Sequence, residues 1–150
     1  MPRLLVVHHS PTPTVRSLAE AVLNGARTAG EEGVELVERH ALEASVDDVL
    51  AADGFILGTT ANFGYISGAL KHFFDTTYDA TREWTAHKPF SYWIHGGYDT
   101  TGAERAMTSI TTGYAMRLAA APLILVGALG EEQLEAATEL GGTVAWSLTM

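Results

Sequence analysis

Leu4-Leu5-Val6-Val7-His8-His9-Ser10-Pro11-Thr12-Pro13-Thr14-Val15 is the stretch that decides the fold. Four consecutive apolar residues read as a strand buried on both faces, the situation of an inner strand in a parallel sheet covered by helices. The run stops at two histidines and crosses a hydroxyl-rich loop. Helical spacing follows, with Val15, Leu18, Ala19, Val22 and Ala26 on one face. Pro13 suits the position just before the helix or its first residue, where a missing N–H costs little. A strand passing through a short loop into a helix is the opening half of a βαβ unit.

The same alternation continues to the end of the chain. Strands are expected at residues 4–8, 34–38, 54–58, 90–95 and 123–126, most of them bordered by Gly, Pro or Asp. A short helix follows Ser45, whose spacing to Asp48 makes a capping box. Further apolar stripes are Ile66, Ala69, Leu70, Phe73 and Phe74; then Ala103, Ala106, Met107, Ile110 and Tyr114; then Leu134, Ala137, Gly141, Val144 and Leu148. The paired Gly141-Gly142 fits close packing or a kink. The expected fold is α/β, one domain over residues 1–150: a doubly wound five-stranded parallel sheet, order 2-1-3-4-5, with helices on both faces. Residues 4–7, 55–57 and 123–126 read as doubly buried, whereas Glu35 and Glu38 mark an edge strand.

Composition narrows the function. With 47% hydrophobic residues in 150, the chain can build a core. Acids outnumber bases 18 to 9, for a net charge of −9. That excludes a basic nucleic-acid footprint and requires any anionic ligand to be held by local dipoles. The absence of cysteine excludes disulfides, thiolate metal sites and cysteine nucleophiles. None of the six histidines has zincin spacing, so no metal site is expected. The N-terminal apolar run is too short for a signal peptide, and residues 118–130 fall short of the ~20 needed to span a bilayer. The expectation is a soluble cytoplasmic protein with no membrane partner.

In doubly wound sheets the ligand lies beyond the carboxyl ends of the strands. No Gly-rich dinucleotide fingerprint, no P-loop and no acidic receiver cluster stands there. Ser10, Thr12 and Thr14 instead bring hydroxyls to a helix start, where the amides of Thr14, Val15 and Arg16 read as free donors for a phosphate. Plain N-capping by Thr12 or Thr14 uses the same residues. The second loop, Gly58 through Thr59, Thr60, Ala61, Asn62, Phe63 and Gly64 to Tyr65, offers a flexible polar backbone and two aromatics to a flat heterocycle. The third, His95-Gly96-Gly97-Tyr98-Asp99-Thr100, offers paired glycines for close backbone approach and a tyrosine for stacking.

These segments resemble the flavodoxin-like FMN-binding family, nearest to the small NAD(P)H-dependent FMN reductases and WrbA-type quinone oxidoreductases. The resemblance is carried by Ser10-Pro11-Thr12, by residues 51–59, by Asn62-Phe63-Gly64 through Gly68-Ala69-Leu70-Lys71 to Phe74-Asp75, and by His95-Gly96-Gly97. It implies that Ser10, Thr12, Pro13 and Thr14 surround the FMN phosphate. It further implies that Thr59, Thr60, Ala61, Asn62, Phe63 and Gly64 line the isoalloxazine, and that His95, Gly96, Gly97 and Tyr98 flank its other side. Trp84 resembles an aromatic that approaches the flavin, sometimes across a subunit boundary, which suits a homodimer. Two departures stand out: Pro13 replaces a common glycine and Val15 a common hydroxyl. At about 1 kcal/mol per lost hydrogen bond, FMN affinity falls roughly tenfold or more.

The implied chemistry is electron transfer from NAD(P)H through FMN to a quinone, a flavin or another small acceptor, or to a redox protein. Such chemistry needs orientation more than an acid–base pair, so no catalytic side chain is assigned. His95 reads as a hydrogen-bonding spacer in preference to a proton relay. A flavodoxin-type electron carrier and a flavin-free regulatory domain on the same scaffold are the alternatives.

Overall fold

The computed structural model describes residues 1–31 and 33–150. In chain order it contains β1 (Arg3–His8), α1 (Pro13–Ala29), β2 (Glu35–His40), α2 (Val46–Leu50), β3 (Gly54–Asn62), β4 (Tyr65–Ile66), α3 (Gly68–Thr85), β5 (Pro89–Gly96), α4 (Thr101–Gly113), β6 (Arg117–Leu118), β7 (Leu123–Val126) and α5 (Glu131–Ser147). The strands run β2-β1-β3-β5 in parallel, and β6 and β7 share the outer edge of β5. Counted by position this is the expected 2-1-3-4-5 sheet.

Its fifth position is split. β6 pairs with Pro89 and Phe90, β7 with Trp93 to Gly96, and the break between them includes Pro122, which has no N–H to give a ladder. The Ser91 hydroxyl bridges the gap by donating to the Ala120 carbonyl at 3.0 Å. Residues 123–126 were expected to be buried on both faces; they are instead partly exposed, with Val126 half so. The reason is topological: no described strand lies beyond them.

Segment 58–65 also departs from expectation. It is not a flexible loop but a hairpin: β3 extends to Asn62, and β4 returns antiparallel with Ala61 opposite Ile66 and Asn62 opposite Tyr65. The helix that follows opens at Gly68, not Ile66, because the Ser67 hydroxyl accepts the Leu70 N–H at 3.1 Å and caps it. The expected capping box of Ser45 and Asp48 is present at α2.

Two apolar layers sandwich the sheet. α1 and α5 cover Leu4, Val6, Ile56 and Trp93, while α2, α3 and α4 cover Leu5, Val7, Phe55, Leu57 and Ile94. α1 and α5 cross backbone to backbone. A Cβ on Gly25 would sit 1.9 Å from the Thr138 carbonyl oxygen, and one on Gly141 would sit 1.9 Å from that of Val22. Close packing, the first of the two readings of Gly141, is what the structure shows. With both faces sealed, the carboxyl rim of β1, β3 and β5 is where backbone and polar side chains converge.

Candidate functional site

At the first loop the chain spends most of its donors on itself. Thr12 is the N-cap of α1 and Pro13 occupies the first helical turn. The Thr12 hydroxyl accepts the Val15 N–H at 3.3 Å, and the Thr12 carbonyl accepts the Arg16 N–H at 2.9 Å. The expectation of three free amides at Thr14, Val15 and Arg16 is therefore corrected: among the described residues only the Thr14 amide of that set lacks a partner. Val15 is buried and presents nothing to the loop. Thr12 still has its own O–H to donate, since a hydroxyl that accepts keeps its proton. Pro11, Thr12, Pro13 and Thr14 are exposed, and Ser10 is half-buried.

The hairpin and the third loop meet across a cleft. Ala61, Phe63, Gly64, Gly97, Tyr98 and Asp99 line about 340 Å³ of it, a size in the range of small-ligand sites. Phe63 is fully exposed and Tyr98 is 87% exposed, so two aromatic faces flank this opening unburied. Phe63 also holds φ at +50° and Gly64 at +76°. Two positive φ values in a two-residue turn mark the type I′ geometry that matches hairpin twist. A non-glycine residue in that region costs about 1–2 kcal/mol. Gly64 packs against α4 so closely that a Cβ on Gly102 would sit 1.8 Å from the Gly64 carbonyl oxygen.

The paired glycines divide their duties. Gly96 is needed by the fold, because a Cβ there would meet Thr100 Cγ2 at 2.9 Å and the Ala61 Cβ at 3.1 Å; Gly97 faces open space. The Asp99 carboxylate accepts the Thr101 N–H at 3.0 Å, which lowers its pKa. Thr59 lies behind the cleft wall. It is fully buried, donating to the Thr60 carbonyl and accepting the Ser67 N–H, so its hydroxyl anchors the hairpin to α3. Asn62 is exposed beside the turn.

His95 Nε2 lies 2.7 Å from the Gly127 carbonyl, tying β5 to the segment after β7, as a hydrogen-bonding spacer does. Trp84 lies away from this cleft. Its indole N–H donates to the Ala52 carbonyl at 2.9 Å and its ring lies under the Lys88 ammonium, 3.9 Å from the centroid. Ala52 precedes β3, so Trp84 stands at the amino end of the sheet and cannot reach its own cleft.

Sequence reasoning passed over a cluster at the ends of β1 and β2. His8 Nε2 lies 2.7 Å from a Glu38 carboxylate oxygen, and His8 Nδ1 lies 2.7 Å from the Ser10 hydroxyl. His9 meets His40 edge-on at 5.6 Å, and burial, with His40 and His8 beside it, lowers the His9 pKa. Once β2 is placed beside β1, the parallel register that sets His8 opposite His40 brings these residues together; that pairing was the available signal. Among the described residues no three histidines or acids are arranged to hold a metal.

Three buried polar side-chain atoms lack partners among the described residues: His9 Nδ1, Thr60 Oγ1 and Trp93 Nε1. His9 follows β1 and Thr60 lies in the carboxyl half of β3, whereas Trp93 sits mid-strand in β5, inside the core. Buried polar groups are ordinarily satisfied, and of these three His9 and Thr60 lie toward the rim.

Comparison with known proteins gives the family and the fold. Residues 14–128 match the family model of the NADPH-dependent FMN reductases. A flavodoxin of Aquifex aeolicus is 40% identical over 75 residues, 50% of this chain and 40% of that protein. An NAD(P)H dehydrogenase (quinone) of Acidithiobacillus ferrooxidans is 30% identical over 125 residues, 67% of this chain and 62% of the relative. Those matches thus take in less than two thirds of either relative's length. A flavodoxin structure from the domain Archaea superposes with a TM-score of 0.85 at 17% identity, covering 99% of each chain, which shows the fold. No helix among the described residues is long and apolar enough to cross a membrane. A match over most of its length makes this chain a member of the NADPH-dependent FMN reductase family, a flavoprotein of flavodoxin-like fold.

Proposed function

We propose that the chain binds FMN along the carboxyl rim and works as an NAD(P)H-dependent oxidoreductase toward a quinone, a flavin or a similar small acceptor. The observation that carries this reading is the cleft beside Gly97, flanked by exposed Phe63 and Tyr98. Two exposed aromatics flanking one cleft, one of them held in a strained backbone conformation, fit a surface kept for a ligand. When bound, FMN supplies two-electron transfer between a nicotinamide and the acceptor. Phe63 and Tyr98 pack against its ring and limit water. The amides of Gly97 and Tyr98 offer donors to the ring's carbonyl edge, where reduction places negative charge. Ser10, Thr12 and Thr14 hold the phosphate by their hydroxyls, helped by the positive end of α1.

An electron-carrier role is the second reading, favoured by the net charge of −9, which suits docking to a basic redox partner. Anaerobic addition of NADPH to the FMN-loaded protein separates the two. Rapid bleaching of the flavin's visible band without any partner protein supports the reductase. A band that persists until a separate reductase is added assigns the carrier role.

A further inference from the structure

The first loop is poor in the donors a phosphate needs. Pro11 and Pro13 have no N–H, and the amides of Val15 and Arg16 are engaged within the helix start. Beside this loop runs a hydrogen-bonded chain from Glu38 Oε2 to His8 Nε2 at 2.7 Å, and from His8 Nδ1 to Ser10 Oγ at 2.7 Å. Its logic depends on the imidazole proton count. An ionised carboxylate only accepts, so Glu38 keeps the proton on Nε2. In the neutral ring Nδ1 must then accept, and the single Ser10 proton points at His8, leaving the hydroxyl only lone pairs for a ligand. In the protonated ring Nδ1–H donates to Ser10 Oγ, and the Ser10 O–H is released to donate elsewhere.

A buried aromatic bounds the same histidine on its core side. The Trp93 indole is fully buried, lies 5.6 Å from the His8 ring and fills the space above Gly58, where a Cβ would come within 2.1 Å of it. Its N–H, a donor and nothing else, has no acceptor among the described residues, and the Thr60 hydroxyl, 9% exposed, is likewise unpartnered. The buried indole thus packs beside His8 in the core, and the half-buried Ser10 is the partner of His8 that lies in the loop.

We propose that the Glu38–His8–Ser10 chain makes capture of the flavin's phosphate proton-linked, with His8 a positioning residue that turns the Ser10 O–H toward the ligand. This rests on the FMN reading. The groups facing His8 are Glu38 and His40 from β2, Trp93 from β5, Ser10 from the loop, and its chain neighbour His9; no salt bridge joins it to α1 among the described residues. Glu38 favours the charged ring, His9 and His40 oppose it when they are charged, and Trp93 and Ser10 are neutral. Burial, with His40 and His8 beside it, lowers the His9 pKa.

The test is the affinity of the purified protein for FMN and for riboflavin, read by quenching of flavin fluorescence from about pH 6.5 to 8.5. Over that span the monoester is largely dianionic, its second pKa being about 6, so the ligand's own titration contributes little. FMN affinity is expected to weaken about tenfold across this span, while riboflavin affinity stays level. Ser10→Ala and His8→Gln should each flatten the FMN profile, and Glu38→Gln should move it to lower pH. Should His8→Gln unfold, as judged by circular dichroism, Ser10→Ala answers the same question. An FMN-to-riboflavin ratio that is constant with pH, or that varies equally in Ser10→Ala, overturns the proposal and leaves the cofactor reading standing. Failure to bind either flavin overturns both.

Discussion

Two glycines at the rim show how differently one residue type is used. Gly58 is flat because the Trp93 indole lies on it; a methyl there would stand 2.1 to 2.5 Å from three ring atoms. Gly97 has nothing within 4 Å of its would-be Cβ and is exposed. The physical demand on Gly58 is internal, and that on Gly97 comes from whatever enters the cleft. Gly58→Ala is therefore expected to lower stability by about 1–3 kcal/mol through overpacking, seen as a shifted denaturant midpoint. Gly97→Val should leave that midpoint within about 0.5 kcal/mol of the parent. It should nonetheless weaken FMN binding by at least about tenfold, a loss of roughly 1.4 kcal/mol. If Gly97→Val bound FMN as well as the parent, the ring would lie elsewhere. Thr59 and Thr60 divide in the same way: one hydroxyl anchors the hairpin to α3, and the neighbouring one has no partner among the described residues.

At the scale of the element, the hairpin of β3 and β4 trades stability for an exposed ring. Phe63 occupies a positive-φ position that glycine, asparagine and aspartate fill readily, and its side chain buries nothing. Phe63→Asn should raise stability by about 1 kcal/mol, because the left-handed conformation costs an asparagine less, and should raise the melting temperature with it. The same change should loosen flavin, which a fluorescence titration would show. A variant neither stabilised nor weakened in binding would mean that the turn is unstrained and the ring idle. This hairpin is also where reading the sequence stopped short. The helices were legible because apolar residues recur at helical spacing over long windows, and the inner strands because short apolar runs such as residues 4–7 admit little else. The segment from Gly58 to Tyr65 has no such period. Its turn residues, Phe63 and Gly64, lack the Asn-Gly or Asp-Gly pair that announces a tight hairpin, and only the strand pairing makes it visible. Where Trp84 stands was not legible either: position along α3 sets which end of the sheet a side chain reaches, and resemblance alone does not fix that helix's length.

For the molecule as a whole, core tyrosines and a histidine after β1 set limits at opposite ends of the pH scale. Tyr114 is buried on the α2–α4 side, with its hydroxyl 2.8 Å from that of Thr77 and donating to the Phe74 carbonyl at 3.0 Å. Burial pushes its pKa up to about 12 and raises that of Tyr92 as well. An unfolded tyrosine releases its proton near pH 10, so the folded state binds protons more tightly. Stability from this source is complete below about pH 10 and is lost as pH climbs toward 12. Two pKa units on Tyr114 correspond to about 2–3 kcal/mol. His9 gives the opposite limb. Its pKa is lowered first by burial and then by His40 and His8, so its contribution is complete above about pH 6.5 and is lost below it. Urea midpoints should therefore form a plateau across neutral pH with falling shoulders on both sides. Tyr114→Phe separates the two shoulders. It keeps the ring packed against Phe74 and Tyr78 but forgoes both hydrogen bonds, so it should cost about 1–2 kcal/mol at neutral pH and flatten the alkaline shoulder while leaving the acid one intact. An alkaline shoulder that survives in Tyr114→Phe would assign that limb to Tyr92 or to lysine deprotonation instead.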